Sequence, residues 1–221
     1  MWIETRGPSN EILCFHQEVD GAKFYFGTRH LPKEQLSKLY PQWRFCFLKQ
    51  VHGANVVEAN PEELFEADGH FTSLFNQALV IQTADCVPIL LMGSRKIGAV
   101  HAGWRGVQKE ILRDAIKKIQ PVDHVFIGPH IGPKSFEVGL EVVQAFENRF
   151  ADLEGWSLPH HCPDKRYLHL SKMVEYQISL WAPQVSIKKL ELDTFTHSEM
   201  ASYRRSGGSK ERQFSFCVLT G

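Results

Sequence analysis

The sequence lacks a net charge, a long apolar run and a pattern typical of a leader peptide. Its 25 lysines and arginines balance 25 aspartates and glutamates, so no excess charge favours nucleic acid or an anionic membrane as the main partner. The longest apolar run, Val87–Met92, is far shorter than the ~20 residues that span a bilayer. No basic start precedes an apolar stretch, as a signal peptide requires. We therefore expect a cytoplasmic protein that binds neither nucleic acid nor membrane.

The sequence also has few cysteines and no motif that would pair them. Its five cysteines form no C-x-x-C motif, and an odd number of thiols is typical of a reducing compartment. There is no internal repeat, low-complexity tract or linker-like change in composition. A chain of this length can bury a core without a disulfide or a metal. We expect residues 1–221 to form one domain and the protein to be a monomer.

The hydrophobic pattern predicts strands and helices that do not alternate strictly, which favours an α+β fold. Turn residues such as Asp20-Gly21 separate short strand-like segments, and amphipathic segments with helical spacing follow. The predicted strands are Ile12–His16, Lys23–Thr28, Phe45–Val51, Val56–Ala59, Ala78–Thr83, Val87–Met92, Lys96–His101, Val185–Leu192 and Gln213–Leu219. The predicted helices are a short one within Leu31–Gln42, then Val107–Ile119, Leu140–Phe150 and Val174–Trp181.

Three residues at the ends of apolar segments carry the main chemical signal: His52 in QVHGAN, Cys86 in TADCVP and His101 in AVHAGW. Strand ends beside glycine-containing loops can converge on one cleft. Two imidazoles and a thiolate are a ligand set that suits zinc and leaves a fourth position for water or substrate. Their spacing matches no short ligand motif, so Cys86 is also compatible with a nucleophile and, most simply, with an ordinary buried thiol.

Charged residues near these positions indicate an anion site. Arg105 in HAGWRGV lies at the predicted start of a helix, where free N–H groups and the helix dipole favour anions. An arginine can also bind phosphate bidentately. Arg204 or Arg205 in SYRRSGGSKER would fold back on an anionic substrate, although a solvated hairpin loop explains the same pattern. Asp85, next to Cys86, would either orient a metal ligand from behind or cap a turn.

Two other motifs have weaker functional interpretations. The loop Ile127–Pro133, with two Gly-Pro steps, would form a wall of the cleft or serve only as a rigid turn. His160, His161 and Cys162, with His169 downstream, are a competing set of metal ligands. This set is disfavoured because the side chains of adjacent histidines point in different directions.

Six segments together closely resemble the YfiH family, also called laccase-domain-containing proteins. They occur in the family order from about Lys49 to the C terminus. The segments are QVHGANVV, ADG, TADCVPILL, AVHAGWRGV, IGPHIGPKSFEVG and SYRRSGG.

The resemblance implies a layered αββα sandwich, shared with the catalytic domain of cytotoxic necrotising factor. It also implies that His52, Cys86 and His101 bind a metal and are catalytic, with zinc the usual assignment and copper an alternative. The implied activities are phosphorolysis of adenosine, inosine and methylthioadenosine, and deamination of adenosine. The implied partners are therefore a purine nucleoside and phosphate, and a link to editing of peptidoglycan precursors is also implied.

The chain departs from the family pattern in two places. A glycine-rich stretch that usually follows Gly27 is shortened, which leaves Arg29 as the one arginine there to serve as a phosphate ligand. Near the C terminus, the usual Asp-x-Cys-Thr reads Asp193–Thr196, with Phe195 in place of the cysteine. This change argues against an essential role for that cysteine and predicts a narrower pocket.

Three alternatives to a zinc-dependent purine nucleoside enzyme remain open. In a cysteine hydrolase or amidase, Cys86 would attack an acyl carbon with His101 or His52 as general base. A copper polyphenol oxidase is disfavoured, because multicopper clusters generally use His-x-His pairs and the 11 histidines include none. A nucleotide-binding module that merely retains the metal would differ only in its lack of activity.

Overall fold

The computed structural model describes residues 1–220, apart from the side chain of Asn148. The first strands are β1 (Ile3–Arg6), β2 (Ile12–Val19), β3 (Ala22–Gly27), β4 (Arg44–Cys46), β5 (Leu48–Lys49), β6 (Val56–Glu58), β7 (Phe65–Glu66), β8 (Gly69–Thr72) and β9 (Gln77–Thr83). The remaining strands are β10 (Val87–Gly93), β11 (Ile97–Ala102), β12 (Val122–Ile127), β13 (Glu137–Gly139), β14 (Ser157–Pro159), β15 (Lys165–Leu168), β16 (Ser186–Lys189) and β17 (Gln213–Leu219). The helices are α1 (Lys33–Leu39), α2 (Trp104–Gln108), α3 (Ile111–Ile119), α4 (Leu140–Phe150), α5 (Leu170–Trp181) and α6 (Tyr203–Ser206).

Two six-stranded sheets pack face to face. The strand order is β1-β2-β3-β17-β9-β4 in the first sheet and β16-β12-β10-β11-β8-β6 in the second. Apolar side chains from both inner faces fill the space between them, among them Phe24, Leu79, Leu90 and Phe126, all fully buried. The rings of Phe24 and Phe126 stack with centroids 4.0 Å apart. This core fixes the relative position of the two sheets.

Helices cover the outer faces of both sheets. Buried side chains of α3, α4 and α5 pack on the second sheet. On the first sheet, Leu36 of α1 lies in a cluster with Tyr25, Trp43 and Phe216. The arrangement is therefore α+β with αββα layers in a single compact domain, which confirms the predicted fold class. Within residues 1–220, no helix is long and apolar enough to cross a membrane.

The structure differs from the predicted elements at several points, and β1, β8, β12 and the strands β13 to β15 were not among those predicted. The strand predicted from Phe45 to Val51 is divided into β4 and β5. The helix predicted from Val107 to Ile119 is divided into α2 and α3, because Glu110 adopts a left-handed conformation with φ 59°. The basic segment predicted as a hairpin loop contains the helical turn α6, in which the Ser202 hydroxyl accepts a hydrogen bond from the backbone N–H of Arg205.

One end of the sandwich brings separate loops together. The segment 84–86 crosses from β9 in the first sheet to β10 in the second. Antiparallel pairing of β10 with β11 places Pro88 opposite His101, and pairing of β11 with β8 places Val100 opposite Gly69. The end of β11 and the starts of β8 and β10 therefore meet at the crossing segment.

Candidate metal centre

His52, Cys86 and His101 converge at this end of the sandwich. Their ligand atoms all lie within 4.8 Å of one another, and the two imidazole rings meet edge-on with centroids 4.8 Å apart. His101 is buried in β11, Cys86 is partly exposed and His52 is exposed. We call these three residues the His-Cys-His cluster; it is closed on the His101 side and open to solvent on the His52 side.

Asp68 forms hydrogen bonds with two members of the cluster, His52 and His101. Its fully buried carboxylate accepts hydrogen bonds from the backbone N–H groups of Val51 (3.2 Å), His52 (3.0 Å) and Gly53 (2.6 Å). It also accepts a 2.8 Å bond from Nδ1 of His101. Because the ionised carboxylate can only accept, Nδ1 carries the proton and Nε2 of His101 is left free as a ligand atom. A carboxylate behind a histidine is the usual support of a metal-ligating imidazole.

The charges of the cluster favour a thiolate at Cys86. Burial by itself would raise the pKa of this thiol, but the charge of His101 and hydrogen bonds with His101 and His52 lower the pKa to about 6. Burial likewise lowers the pKa of His101, while Cys86 and Asp68 outweigh it and raise that pKa to about 9. The thiolate is the form of cysteine that binds metals and acts as a nucleophile.

Gly103 leaves open space beside the cluster. A Cβ atom at this position would lie 3.1 Å from Sγ of Cys86 and 3.4 Å from Cδ2 of His52, closer than ordinary van der Waals contact. The absence of a side chain at Gly103 therefore keeps the ligand atoms accessible, as a metal centre requires.

The cluster forms the floor of a cavity of about 500 Å³, a size suited to a small-molecule ligand. Arg105 and Arg204, which we call the arginine pair, line the same cavity and are exposed. Each guanidinium lies over an aromatic ring: Arg105 is 4.3 Å from the ring centroid of Trp104, and Arg204 is 5.7 Å from that of Phe136. A third arginine, Arg212, also lines the cavity, and its guanidinium donates to the main-chain oxygens of Ser209 and Glu211. The cavity thus combines a metal-ligating floor with cationic groups, of which the arginine pair is exposed.

Asp85 does not orient a metal ligand, which corrects one of the two roles predicted for it. Its carboxylate accepts hydrogen bonds from the Thr194 hydroxyl at 2.6 Å and from the backbone N–H of Arg204 at 2.7 Å. The carboxylate that contacts His101 is that of Asp68, to which the sequence analysis assigned no role. Asp68 belongs to the ADG segment of the family resemblance, but spacing did not connect it with His101, which lies far along the chain.

Other predicted residues lie outside the cavity. Arg29 does not line it, and its guanidinium instead pairs with Glu211 at 2.7 Å. Phe195 does not line it either, so the cysteine-to-phenylalanine change does not narrow this cavity. Ile131 of the Ile127–Pro133 loop does line it, in agreement with the predicted wall.

The competing set His160, His161 and Cys162 does not assemble a metal site. Nδ1 of His160 accepts a hydrogen bond from the backbone N–H of Cys162, and its Nε2 lies 2.8 Å from a carboxylate oxygen of Glu137. Nδ1 of His160 is therefore engaged with the backbone, and its Nε2 lies beside a carboxylate without forming a hydrogen bond to it. Across residues 1–220, the His-Cys-His cluster alone gathers three potential ligand atoms of His, Cys, Asp or Glu.

The sequence also matches known proteins. The sequence model of a family described as multi-copper polyphenol oxidoreductase laccase matches residues 31–220. The chain belongs to this laccase-domain family. The purine nucleoside phosphorylase of Pseudomonas aeruginosa is 38% identical over 130 residues, which cover 57% of this chain and 52% of that protein. The purine nucleoside phosphorylase of Haemophilus influenzae is 40% identical over 106 residues, which cover 45% and 43%.

This laccase-domain chain thus spans about half the length of those two relatives. A purine nucleoside phosphorylase of Rickettsia conorii matches over more of its length: it is 32% identical over 184 residues, which cover 79% of this chain and 76% of that protein.

Solved structures show that the family fold is shared. YlmD of Geobacillus stearothermophilus superposes with a TM-score of 0.84 at 20% identity, over 100% of both chains. A Neisseria meningitidis protein superposes with a TM-score of 0.84 at 19% identity, over 95% of this chain and 100% of that chain.

Proposed function

We propose that this protein is a zinc-dependent purine nucleoside phosphorylase. The observation that carries the proposal is the shared cavity, in which the His-Cys-His cluster faces the arginine pair. The names of the relatives support the substrate class. We further propose adenosine, inosine and methylthioadenosine as substrates, with deamination of adenosine as a second activity of the same cavity.

The donor set fits zinc better than a multicopper centre. His52, His101 and Cys86 offer two imidazole nitrogens and a thiolate, which is a common zinc set that leaves a coordination position open. Bound there, zinc would supply Lewis-acid chemistry by polarising an oxygen atom of the substrate. A multicopper centre needs more ligands than the single group of three found among residues 1–220.

The residues of the chain have separate tasks in phosphorolysis. Arg105 and Arg204 bind phosphate and orient one of its oxygens toward C1′ of the ribose, since guanidinium groups match the geometry of phosphate. The new bond joins that oxygen to C1′, the bond from C1′ to the purine nitrogen breaks, and its electron pair leaves with the base. Trp104 and Phe136 pack against the guanidinium groups and hold them at the cavity.

Metal analysis combined with a nucleoside assay tests the proposal. Purified protein should contain about one zinc per chain and release ribose-1-phosphate from inosine only when phosphate is present. His52→Ala and Cys86→Ala should lose both the zinc and the activity. Cys162→Ala is a matched control, because Cys162 is also partly exposed but lies outside the cluster. With adenosine as substrate, adenine reports phosphorolysis and inosine reports deamination.

Each outcome of this experiment decides one part of the proposal. Wild-type protein that releases no base, with Cys86→Ala indistinguishable from it, would contradict a purine nucleoside enzyme. Stoichiometric copper with oxidation of phenols would contradict the choice of zinc.

A cysteine hydrolase is the second candidate, and one observation favours it. Cys86, His101 and Asp68 are in series, with a thiol beside an imidazole that is held by a carboxylate. This is the general order of nucleophile, base and orienting group, and it would suit an amidase acting on peptidoglycan precursors. It predicts that chelators leave activity intact and that iodoacetamide abolishes it, whereas the zinc enzyme is inhibited by chelators.

A further inference from the structure

We propose that Asp85 and Thr194 are positioning residues that hold Arg204 over the cavity and thereby set the affinity for phosphate. The inference rests on the proposed function insofar as it assigns phosphate to the arginine pair. It assigns a role in anion binding to two buried residues, of which Asp85 lines the cavity beside Cys86 and Thr194 does not line it.

Asp85 joins three segments of the chain through its oxygen atoms. Its Oδ1 accepts the Thr194 hydroxyl at 2.6 Å, and its Oδ2 accepts the Arg204 backbone N–H at 2.7 Å. Its main-chain oxygen accepts the N–H of Ile131 at 2.9 Å. The wall loop, the 193–197 segment and helix α6 are therefore all attached to the residue that precedes Cys86.

The backbone of Asp85 shows that its conformation is imposed by these contacts. Its φ is 91°, in a region that non-glycine residues rarely adopt and that persists only where the surroundings over-determine it. Asp85 is 9% exposed and Thr194 is fully buried, so water does not substitute readily for either partner. Loss of one partner should therefore shift α6 rather than be absorbed locally.

Of the two arginines of α6, Arg204 lines the cavity and Arg205 does not. The Arg205 guanidinium donates to the main-chain oxygens of Thr194, Phe195, His197 and Met200. These bonds make the 194–200 segment and α6 one unit and leave Arg205 committed to the backbone. Arg204, one residue earlier, lies over Phe136 in the cavity wall. Movement of this unit would carry Arg204 with it.

Thr194→Val is the direct test, because valine keeps the shape of threonine but cannot donate to Asp85. We expect the KM for phosphate to rise about threefold, the lower end of the cost of one lost hydrogen bond and less than the effect of losing Arg204 itself, with zinc content and kcat little changed. Calorimetric titration with inorganic phosphate should show the same weakening without any nucleoside. Thr196→Val is the matched control, since its exposed hydroxyl makes only a 3.4 Å bond to the Asp193 oxygen, and Thr194→Ser should restore most of the affinity.

A double-mutant cycle with Arg204→Met decides whether Thr194 acts through Arg204. If it does, Thr194→Val should have little further effect on phosphate affinity in the Arg204→Met background, because residues in one network are not additive. Equal effects in both backgrounds would overturn the inference. Asp85→Asn, which replaces one acceptor by a donor, gives a second measurement if Thr194→Val does not fold.

The cycle also separates this inference from the proposed function. Phosphorolysis with a KM for phosphate that Thr194→Val leaves unchanged would overturn the inference alone. Phosphate binding that Thr194→Val weakens, in a protein that cleaves no nucleoside, would overturn the proposed function alone. Loss of zinc in Thr194→Val, with phosphate affinity retained, would instead show that Asp85 acts on the metal centre and would contradict the inference.

Discussion

The His-Cys-His cluster and the arginine pair face the same cavity but are built in different ways. The cluster combines His101 of β11 with Cys86, directly before β10, and His52, in the loop between β5 and β6. Its supporting carboxylate, Asp68, is fully buried and accepts four hydrogen bonds. The arginine pair rests on α2 and α6, which are five and four residues long, and both guanidinium groups are exposed.

The difference separates a rigid, buried side of the cavity, at the His-Cys-His cluster, from an exposed side at the arginine pair. Buried charges interact strongly because little water screens them, whereas exposed charges are weakened by water and salt. A metal centre needs fixed ligand atoms, which buried hydrogen bonds supply. An anion that enters and leaves needs accessible cations, which short helices at the surface supply. The three following predictions test this comparison.

Asp68→Asn should have the largest effect. An amide accepts fewer hydrogen bonds than a carboxylate and does not hold the His101 ring by charge, so zinc affinity should fall by about 10–100-fold, as for other carboxylates behind histidine ligands. Zinc competition with a chromophoric chelator measures the change. Asp123→Asn, at an exposed carboxylate, is the control. Unchanged zinc affinity with weaker phosphate binding would show that the two sides of the cavity are not separate.

Alkylation of Cys86 should show the next largest effect. In metal-free protein its pKa is lowered to about 6, so the thiolate persists well below the usual cysteine range and the rate should level off above that pH. At pH 7 we expect iodoacetamide to modify Cys86 about tenfold faster than Cys162, since reactivity follows the thiolate fraction. Mass spectrometry gives both rates in one sample.

Added zinc should protect Cys86 and leave the rate at Cys162 unchanged. Burial raises the pKa of Cys46 to about 11 and raises that of Cys217 as well, so these thiols should remain unmodified. Equal rates at Cys86 with and without zinc would contradict its assignment as a ligand.

Substitution of the arginine pair should have the smallest effect. Arg105→Met or Arg204→Met should raise the KM for phosphate about fivefold each, because exposed charge pairs contribute about 1 kcal/mol or less, and zinc content should not change. The KM of the wild type should itself rise with salt concentration, whereas zinc affinity should not. Arg95→Met, an exposed arginine beyond the far end of β10, is the control. Loss of zinc from either variant would contradict the separation between the His-Cys-His cluster and the arginine pair.

Much of the fold was predictable from hydrophobic pattern. The buried strands β9, β10, β11 and β17 were expected within one or two residues, because inner strands are almost continuously apolar. The small sheet of β13, β14 and β15 was not expected. Its strands are three to four residues long and partly exposed, so no period of two develops in the sequence. The break at Glu110 was missed because one left-handed residue leaves the apolar spacing unchanged.

The site was predictable in part. The residues His52, Cys86 and His101 stand out because strand ends and small neighbours mark them in the sequence, and Arg105 and Arg204 were identified beside them. Arg29 was expected at the site and pairs instead with Glu211. Asp68 and Thr194 lie in the ADG and Asp193–Thr196 segments of the sequence analysis, but their roles were not expected, since the residues that they contact are distant in the chain and a hydrogen bond between distant segments leaves no local periodicity.

The sequence by itself determined which chemical groups are available: a thiol, two imidazoles and several arginines, each placed next to a strand end or a glycine. Only the tertiary structure decided which aspartate serves which group. Pairing of β8 with β11 brings Asp68 behind His101, while the crossing from β9 to β10 turns Asp85 toward Thr194 and Arg204. The physical reason is that a carboxylate acts through distance and burial, and both are set by strand register and sheet packing rather than by neighbours in the chain.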